Sequence, residues 1–483
     1  MARSLRNLAA AALLGALAWL MAGRSVVNYD TLYSLAWGRE IAGGRSPELD
    51  IPFAPTPHPL STLYGILLAP LSSAADGAVH AVAAINLTIV LGFLFLGLLI
   101  WLVYALGTAW FGPWAGVVAA LVMLTSRPLL DFGARAYVDI PYVALVLGAV
   151  LVETRRPRAG WPVLALLAVA GLIRPEAWAF SFAYLAWLIV TGERDPRRIA
   201  GWVGLALLAP VAWVLADWLL AGSPIHSLTG TQENVRALDR PTGLGDIPLT
   251  VPRRIGEILR EPVLFAAAGG LAFSWWALRD RAKMAVVVGV VALAAFCLLA
   301  ISGLPILGRY LLLPASIGAI LCGAGVFGWR ELEPGDRRRQ WWSWFAVVAL
   351  VALVAFLPSR AGRIVSLRDA LARQDVIQQD LRALVERPPG LVRRDCLPVT
   401  VPNHRPVPLL SLWLDVPPTA IVNAQERRPR RGAWVTPANP GVSDNYILDR
   451  RLGTLDAAPP PGFRPAGANA SWKVSLRCPV AAP

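Results

Sequence analysis

One carboxylate stands at a position where charge is costly in free energy. Asp30 comes a few residues after the first long apolar stretch, in the segment Asn28-Tyr29-Asp30-Thr31. A charged side chain near membrane hydrocarbon is usually functional, because its desolvation is unfavourable. Asp30 is therefore a candidate general base, which must take a proton from a group within hydrogen-bond reach. A structural role stays open, since Asp30 could cap the following helix by accepting N–H groups near Tyr33.

Other ionisable side chains interrupt apolar sequence at several later points. Arg is suited to hold a phosphate through paired N–H donors, and an Asp in the same cavity offers a second candidate base. Each could instead reach out of the membrane or form an ion pair, as Arg174 and Glu176 could with each other. His58, on a proline-rich stretch, is either a phosphate or sugar ligand or an exposed loop residue. The side chains that we predict to share one polar cavity are Asp131, Arg135, Asp139, Arg174, Glu176, Asp217 and Arg309.

The composition limits the classes of function. Of the 483 residues, 56% are hydrophobic and 16% are charged, whereas a soluble domain carries about 25% charged residues. This excludes a disordered chain, a disulfide scaffold and a water-soluble nucleic-acid-binding protein, and it indicates a polytopic membrane protein. The net charge of +14 can be explained without nucleic-acid binding, because Arg collects at the ends of membrane spans. The four histidines lack metal-ligand spacing, so we predict no metal site built from them.

Eleven apolar stretches are read as membrane spans, each of which needs about 20 residues. They predict an all-α polytopic membrane bundle over residues 1–358, in which segments 25–62 and 221–261 roof the site. The residues after Asp30 predict a helix lying in the interface plane, and we expect segment 221–261 to be a mobile lid. The predicted spans are 5–24, 78–106, 114–126, 137–152, 161–173, 176–191, 199–220, 262–278, 284–302, 309–328 and 341–357.

Basic loops set the predicted orientation. Clusters of Arg fall in short loops on one side, which the positive-inside rule makes the cytoplasmic side. The N-terminus is then inside and, with an odd number of spans, the segment 359–483 is outside. That segment combines an amphipathic helix with short apolar runs broken by Pro and Gly, which predicts a small extracytoplasmic α+β domain. Cys396 and Cys478 bracket this domain on an oxidising side and are predicted to form a disulfide.

Three short motifs resemble the GT-C superfamily of integral-membrane glycosyltransferases. The similarity is to the bacterial branch related to protein O-mannosyltransferases and polyprenyl-phosphate-sugar transferases, and by layout it covers residues 1–330. It implies a multi-pass protein of the bacterial cytoplasmic membrane that works at the outer face. The motifs are Tyr29-Asp30 after the first span, His58-Pro59-Leu60 before the second, and Arg309-Tyr310-Leu311 at the start of a late span.

The resemblance also implies a reaction. A polyprenyl-phosphate-linked sugar is the donor substrate, and a lipid, glycan or protein is the acceptor. Asp30 is the single base, the configuration inverts, and no other cofactor is implied; a divalent metal is not favoured. Thr31 stands where protein-glycosylating relatives often carry a second acid, which argues against protein O-mannosylation. The implied donor-phosphate ligands are Arg309 first, then Arg174 and His58, and the candidate cavity residues are Tyr29, Asp139, Glu176, Tyr310 and Asp217.

Two other functions stay open. The chain could be a transporter or flippase of lipid-linked sugars, or a non-catalytic assembly factor that works through residues 359–483. Transporters usually have paired halves with broken helices at the midplane, and this sequence shows no half-repeat.

Overall fold

A computed structural model describes residues 2–73, 80–386, 390–448 and 458–478. Each of the eleven predicted spans contains a helix. Within the described ranges, six helical segments are long and apolar enough to cross a membrane, or seven if the bent pair Pro113–Leu124 and Arg127–Ala134 is one span. The helices, numbered α1 to α20 in order, are Ala2–Ala22, Tyr29–Ala42, Pro59–Leu67, Ala69–Ser73, Val82–Phe111, Pro113–Leu124, Arg127–Ala134, Asp139–Arg155, Trp161–Ile173, Glu176–Val190, Pro196–Ala221, His226–Ala237, Ile247–Leu259, Glu261–Ala277, Arg279–Ile301, Leu312–Phe327, Arg337–Ala355, Leu357–Glu386, Val407–Leu414 and Pro440–Val442.

The chain divides into two compact units. Unit 1 comprises Met1–Ala22 and Leu91–Leu367, and unit 2 comprises Gly23–Val90 and Arg368–Pro483. Of the three boundaries, the first lies at the end of α1, and the other two fall inside the long helices α5 and α18, so each of these two helices belongs partly to both units. Unit 2 therefore combines the segment after α1 with the C-terminal residues.

Helix α16 is the central helix of unit 1. It packs against α6 and α14, and 13 of its 16 residues are buried. Glycine permits this approach, because a Cβ atom on Gly270 would lie 1.9 Å from the carbonyl oxygen of Leu321, and one on Gly323 would lie 2.1 Å from that of Ala115. Small residues at helix contacts are typical of membrane bundles, in which close backbone packing drives association. The predicted all-α bundle is confirmed.

Unit 2 contains a five-stranded sheet of order β2-β1-β3-β5-β4. Strand β1 is parallel to β2 and β3, whereas β5 is antiparallel to β3 and β4. The predicted disulfide joins Cys396 and Cys478, whose Cα atoms are 5.2 Å apart. A small α+β unit is thus confirmed. The strands are β1 Val399–Val401, β2 Ile421–Asn423, β3 Gly432–Pro437, β4 Arg464–Ala468 and β5 Trp472–Arg477.

Helix α2 lies inside unit 2. Ten consecutive residues, Thr31 to Glu40, are buried, because α3, α4 and α19 pack around them. Arg39 is only 3% exposed, and its guanidinium donates to the carbonyls of Leu412 (3.0 Å) and Ser411 (3.2 Å) at the end of α19. The last carbonyls of a helix have no partner within it, so Arg39 supplies the missing hydrogen bonds. The predicted helix after Asp30 is thus present but buried on all sides, and its position in the interface plane stays a prediction.

Candidate functional site

Four ionisable side chains that the sequence predicts to share a cavity meet in unit 1. Arg174 lies between two carboxylates: Nη1 is 2.7 Å from Asp139 Oδ1, and Nη2 is 2.5 Å from Glu176 Oε1. Nε of Arg309 lies 3.9 Å from Oδ2 of the same Asp139. Asp139, Arg174 and Glu176 are 1%, 5% and 6% exposed, so their charges are withdrawn from water. We call these four residues the ionic cluster.

Helix ends bring the ionic cluster together. Arg174 is extended, with φ −146° and ψ 132°, between α9 and α10, because the residue before a proline (here Pro175) disfavours the helical conformation. Asp139 and Glu176 lie in the first turns of α8 and α10, where the helix dipole favours a carboxylate. Arg309 lies on a short 3-10 turn that precedes α16. Three breaks in helical structure thus supply all four charged side chains, and the break between α9 and α10 supplies two of them.

Tyrosine rings cover both guanidinium groups of the ionic cluster. Arg174 lies 3.8 Å from the ring centroid of Tyr310, and Arg309 lies 5.0 Å from that of Tyr137. A cation over an aromatic face is attracted by the negative charge of that face. The predicted residue Tyr310 thus contacts the ionic cluster. Tyr142, whose ring centroid lies 5.9 Å from Arg174, and Tyr137 were not predicted, although both lie within three residues of Asp139.

The two arginines differ in how far their side chains are exposed. Arg174 donates hydrogen bonds to both Asp139 and Glu176. Arg309 meets Asp139 at the longer distance of 3.9 Å and keeps 18% of its side chain exposed. A guanidinium must be reachable to bind phosphate through paired N–H groups. The geometry therefore favours Arg309 over Arg174 as a phosphate ligand, and it favours a positioning role for Arg174.

Asp217 is engaged elsewhere in unit 1. Its carboxylate accepts hydrogen bonds from the backbone N (2.8 Å) and the Oγ (2.6 Å) of Ser227, which ties α11 to the first turn of α12. The segment 221–261, predicted as a lid, contains α12 and α13. Asp131 of α7 forms an ion pair of 2.6 Å with Arg135, the residue that follows this helix. The ionic cluster is therefore a subset of the predicted polar residues.

Asp30 lies in unit 2, half-buried in the first turn of α2. The cap of this helix is Asn28, whose Oδ1 accepts a hydrogen bond of 3.1 Å from the backbone N of Thr31. Asn28 Nδ2 also donates to Thr31 Oγ1 over 2.8 Å. The structure therefore assigns the cap of α2 to Asn28, and the general-base role of Asp30 stays a prediction.

Aromatic side chains flank Asp30. The Tyr29 ring lies 4.9 Å from the Tyr33 ring and 5.2 Å from the imidazole of His404, centroid to centroid. Burial raises the pKa of Tyr29 and of Tyr33 above the usual 10.0, so both phenols stay protonated at neutral pH. His404 comes from the loop after β1, more than 370 residues away in sequence, and no local pattern pointed to it.

His58 is half-buried and immediately precedes α3, which begins at Pro59. Its side chain does not cap that helix, so a role in ligand binding stays a prediction. Within the ranges that the structure describes, no three His, Cys, Asp or Glu side chains are grouped so that they could hold a metal ion.

The fold is similar to that of a protein whose structure has been solved. The crystal structure of ArnT from Cupriavidus metallidurans in the apo state matches with a TM-score of 0.55 and 16% sequence identity, over 98% of this chain and 98% of that one. The apo oligosaccharyltransferase of Archaeoglobus fulgidus matches with a TM-score of 0.40 and 14% identity, over 76% of this chain and 55% of that one. AglB from Archaeoglobus fulgidus, in complex with an inhibitory peptide and a dolichol-phosphate, matches with a TM-score of 0.40 and 15% identity, over 75% and 56%. The two archaeal matches are too weak to support a conclusion.

Sequence comparison adds nothing to this similarity, since no protein-family profile and no curated protein matches the chain. The match to ArnT nevertheless extends over both units. The chain therefore shares the fold of ArnT, and it is a multi-pass membrane protein.

Proposed function

We propose that this protein is an inverting glycosyltransferase that moves a sugar from a polyprenyl-phosphate donor to a hydroxyl group of an acceptor. The GT-C fold over 98% of the chain supports this class of reaction. The observation that carries the proposal is Arg309, a reachable guanidinium held beside the buried carboxylate of Asp139 at a helix end. Such a group suits the phosphate of a lipid-linked donor.

The proposed reaction is a single displacement. Asp30 takes the proton of the acceptor hydroxyl, and the acceptor oxygen forms a bond to the anomeric carbon on the face opposite the phosphate. The bond from the anomeric carbon to the phosphate oxygen breaks, and its electron pair leaves with polyprenyl phosphate. One displacement inverts the anomeric configuration, whereas a covalent intermediate would retain it. The leaving group is already an anion, so it requires positive charge rather than a general acid.

The roles of the remaining residues follow from their contacts. Arg309 binds the donor phosphate, with His58 as a second ligand, and Arg174 holds Asp139 and Glu176 in place. Tyr310 and Tyr29 shape the surroundings of Arg309 and Asp30, respectively. Asp139 and Glu176 are alternative bases in this proposal only if Asp30 is dispensable. The proposal assigns no step to Asp217 or to a divalent metal.

The proposal also concerns topology. It places the N-terminus in the cytoplasm and the transfer reaction at the outer face of the bacterial cytoplasmic membrane. It assigns transfer to residues 1–358 and acceptor selection to the extracytoplasmic residues 359–483. A lipid or glycan is the favoured acceptor, because Thr31 replaces the second acid that protein-modifying relatives often carry.

The proposal is tested by sugar transfer from a panel of short-chain polyprenyl-phosphate donors by the purified protein. We expect Arg309→Gln to weaken donor binding, while Arg197→Gln, which changes an exposed arginine of α11, leaves it unchanged. The product should carry the inverted anomeric configuration in its proton NMR spectrum. Retention of configuration would contradict the single displacement. Binding of intact donors without any transfer would instead favour transport.

A further inference from the structure

Unit 2 contains a cavity of about 210 Å³ that is lined by both apolar and polar side chains. The segment after α1, the first turns of α5, the middle of α18 and the end of α19 form its walls. We call this cavity the amphipathic groove. None of the predicted site residues lines it.

Polar atoms that face the amphipathic groove lack partners. Among the described residues, Ser25 Oγ and Arg382 Nε are buried without a hydrogen-bond partner. The side-chain amides of Asn86, which is exposed, and of Gln378, which is half-buried, line the same cavity. Buried polar groups are nearly always satisfied in folded proteins. Two buried atoms without partners, with two amides beside them, indicate a ligand that supplies the missing hydrogen bonds.

The groove carries no uncompensated charge. Arg382 Nη2 pairs with Glu386 Oε1 at 2.9 Å, and Asp375 Oδ2 lies 3.7 Å from Arg24 Nε and accepts a hydrogen bond of 2.9 Å from Gln379. The remaining groups are a hydroxyl, two amides and one N–H. This mixture of donors and acceptors matches hydroxyl groups, whereas a phosphate would call for a free cation.

The apolar wall points to a ligand with a hydrocarbon chain. Val82, Ile85 and Ile89 are three and four residues apart on α5, so they share one face of the helix. This helix is 30 residues long and has a mean hydropathy of 2.7, which makes it one of the spans. A lipid chain on this face extends in the direction of the span, and a free sugar would leave the face uncovered.

We propose that the amphipathic groove binds the uncharged, hydroxyl-bearing head group of a glycolipid, with the lipid chain on Val82, Ile85 and Ile89. The cavity is smaller than the roughly 300–1,000 Å³ of pockets for drug-sized ligands, so it suits a single sugar ring. Binding here does not depend on the proposed transfer reaction.

The test counts lipids retained by the full-length protein from nanodiscs that contain equal amounts of monoglucosyl diacylglycerol and phosphatidylglycerol, by native mass spectrometry. We expect the wild type to retain the glycolipid preferentially. The double variant Asn86→Leu/Gln378→Leu should retain about tenfold less glycolipid, the effect of two lost neutral hydrogen bonds. The matched control Gln340→Leu removes an exposed amide on α17 outside the groove and should behave as the wild type.

Two outcomes would overturn the proposal: equal or preferential retention of phosphatidylglycerol by the wild type, or unchanged glycolipid retention by the double variant. If the double variant does not fold, the Ser25→Ala variant replaces it in the test, because it removes only one hydroxyl oxygen and disturbs the fold less. That variant should retain about two- to threefold less glycolipid, and wild-type retention would count against the proposal. No donor is present, so a failure of sugar transfer does not affect the result.

Discussion

Replacing Arg174 by methionine separates the structural role of the ionic cluster from its role in binding. Arg174 contacts Asp139 at 2.7 Å and Glu176 at 2.5 Å. Both carboxylates are almost fully buried, and Asp139 Oδ2 and Glu176 Oε2 already lack a hydrogen-bond partner among the described residues. Without Arg174, these carboxylates lose their nearest compensating charge.

The expected magnitude follows from the burial of the pair. Removing one partner of a buried ion pair costs about 3–5 kcal/mol, because the other charge stays desolvated. Replacing all the charged partners together is often neutral. We therefore expect Arg174→Met to lower the free energy of unfolding by about 3–5 kcal/mol, and the triple variant Arg174→Met/Asp139→Asn/Glu176→Gln to recover most of that loss. Arg309→Gln leaves these contacts in place and should cost less than about 1 kcal/mol.

Thermal unfolding in detergent, followed by intrinsic fluorescence, measures the effect. A loss of about 1 kcal/mol lowers the Tm of a 150–250-residue domain by about 2–4 °C, so Arg174→Met should lower the Tm by roughly 10 °C. The exposed-arginine variant Arg197→Gln is the control. An unchanged Tm in Arg174→Met, or a triple variant as unstable as the single one, would refute the reasoning.

Three further predictions concern unit 2, each read by limited proteolysis at increasing temperature. Arg39→Met should lower its stability by about 3 kcal/mol, because carbonyls at the end of α19 and Asp415, 3.2 Å away, lose a buried partner; wild-type protection would contradict this. Burial raises the pKa of Glu40 from 4.5 to about 7, so the folded state holds this proton more tightly, and stability should fall by up to about 3 kcal/mol as the pH rises from 4.5 to 7. Glu40→Gln should flatten that slope, and an equal slope in both proteins would exclude Glu40 as its source. Reducing the Cys396–Cys478 bridge, which closes a separation of 82 residues, should cost about 4 kcal/mol, and equal protection of the reduced and oxidised forms would argue against it.

Local patterns located the apolar helices and part of the ionic cluster, although six or seven of the described segments, not eleven, are long and apolar enough to cross a membrane. Apolar stretches located a helix at each of the eleven predicted spans, since a span must be apolar whatever it packs against. The Arg174-Pro175-Glu176 break marked an ion pair only two residues apart in sequence. Asp139 joins the same ion pair from 35 residues away. No local pattern predicts this contact; it was expected only because charged side chains at the ends of spans should share one polar cavity.

Contacts distant in sequence explain what the sequence analysis missed. Helix α2 has an amphipathic spacing, yet it is buried because α19 covers it, and Arg39 lies 373 residues from its acceptor Leu412. Strand β4 contains Pro and Gly and is fully exposed, so it carries neither the composition nor the alternation of a typical strand. His404 approaches Tyr29 only through folding. In each case the decisive partner lies outside any local window.

The most direct test of the central claim is the rate of transfer by Asp30→Asn beside the wild type and the exposed control Asp50→Asn. A general base contributes about 100- to 10,000-fold to a rate, so we expect kcat to fall by that factor in Asp30→Asn, with donor affinity, folding and Asp50→Asn unaffected. Equal kcat in Asp30→Asn and the wild type would contradict the account and move the search for the base to Asp139 and Glu176.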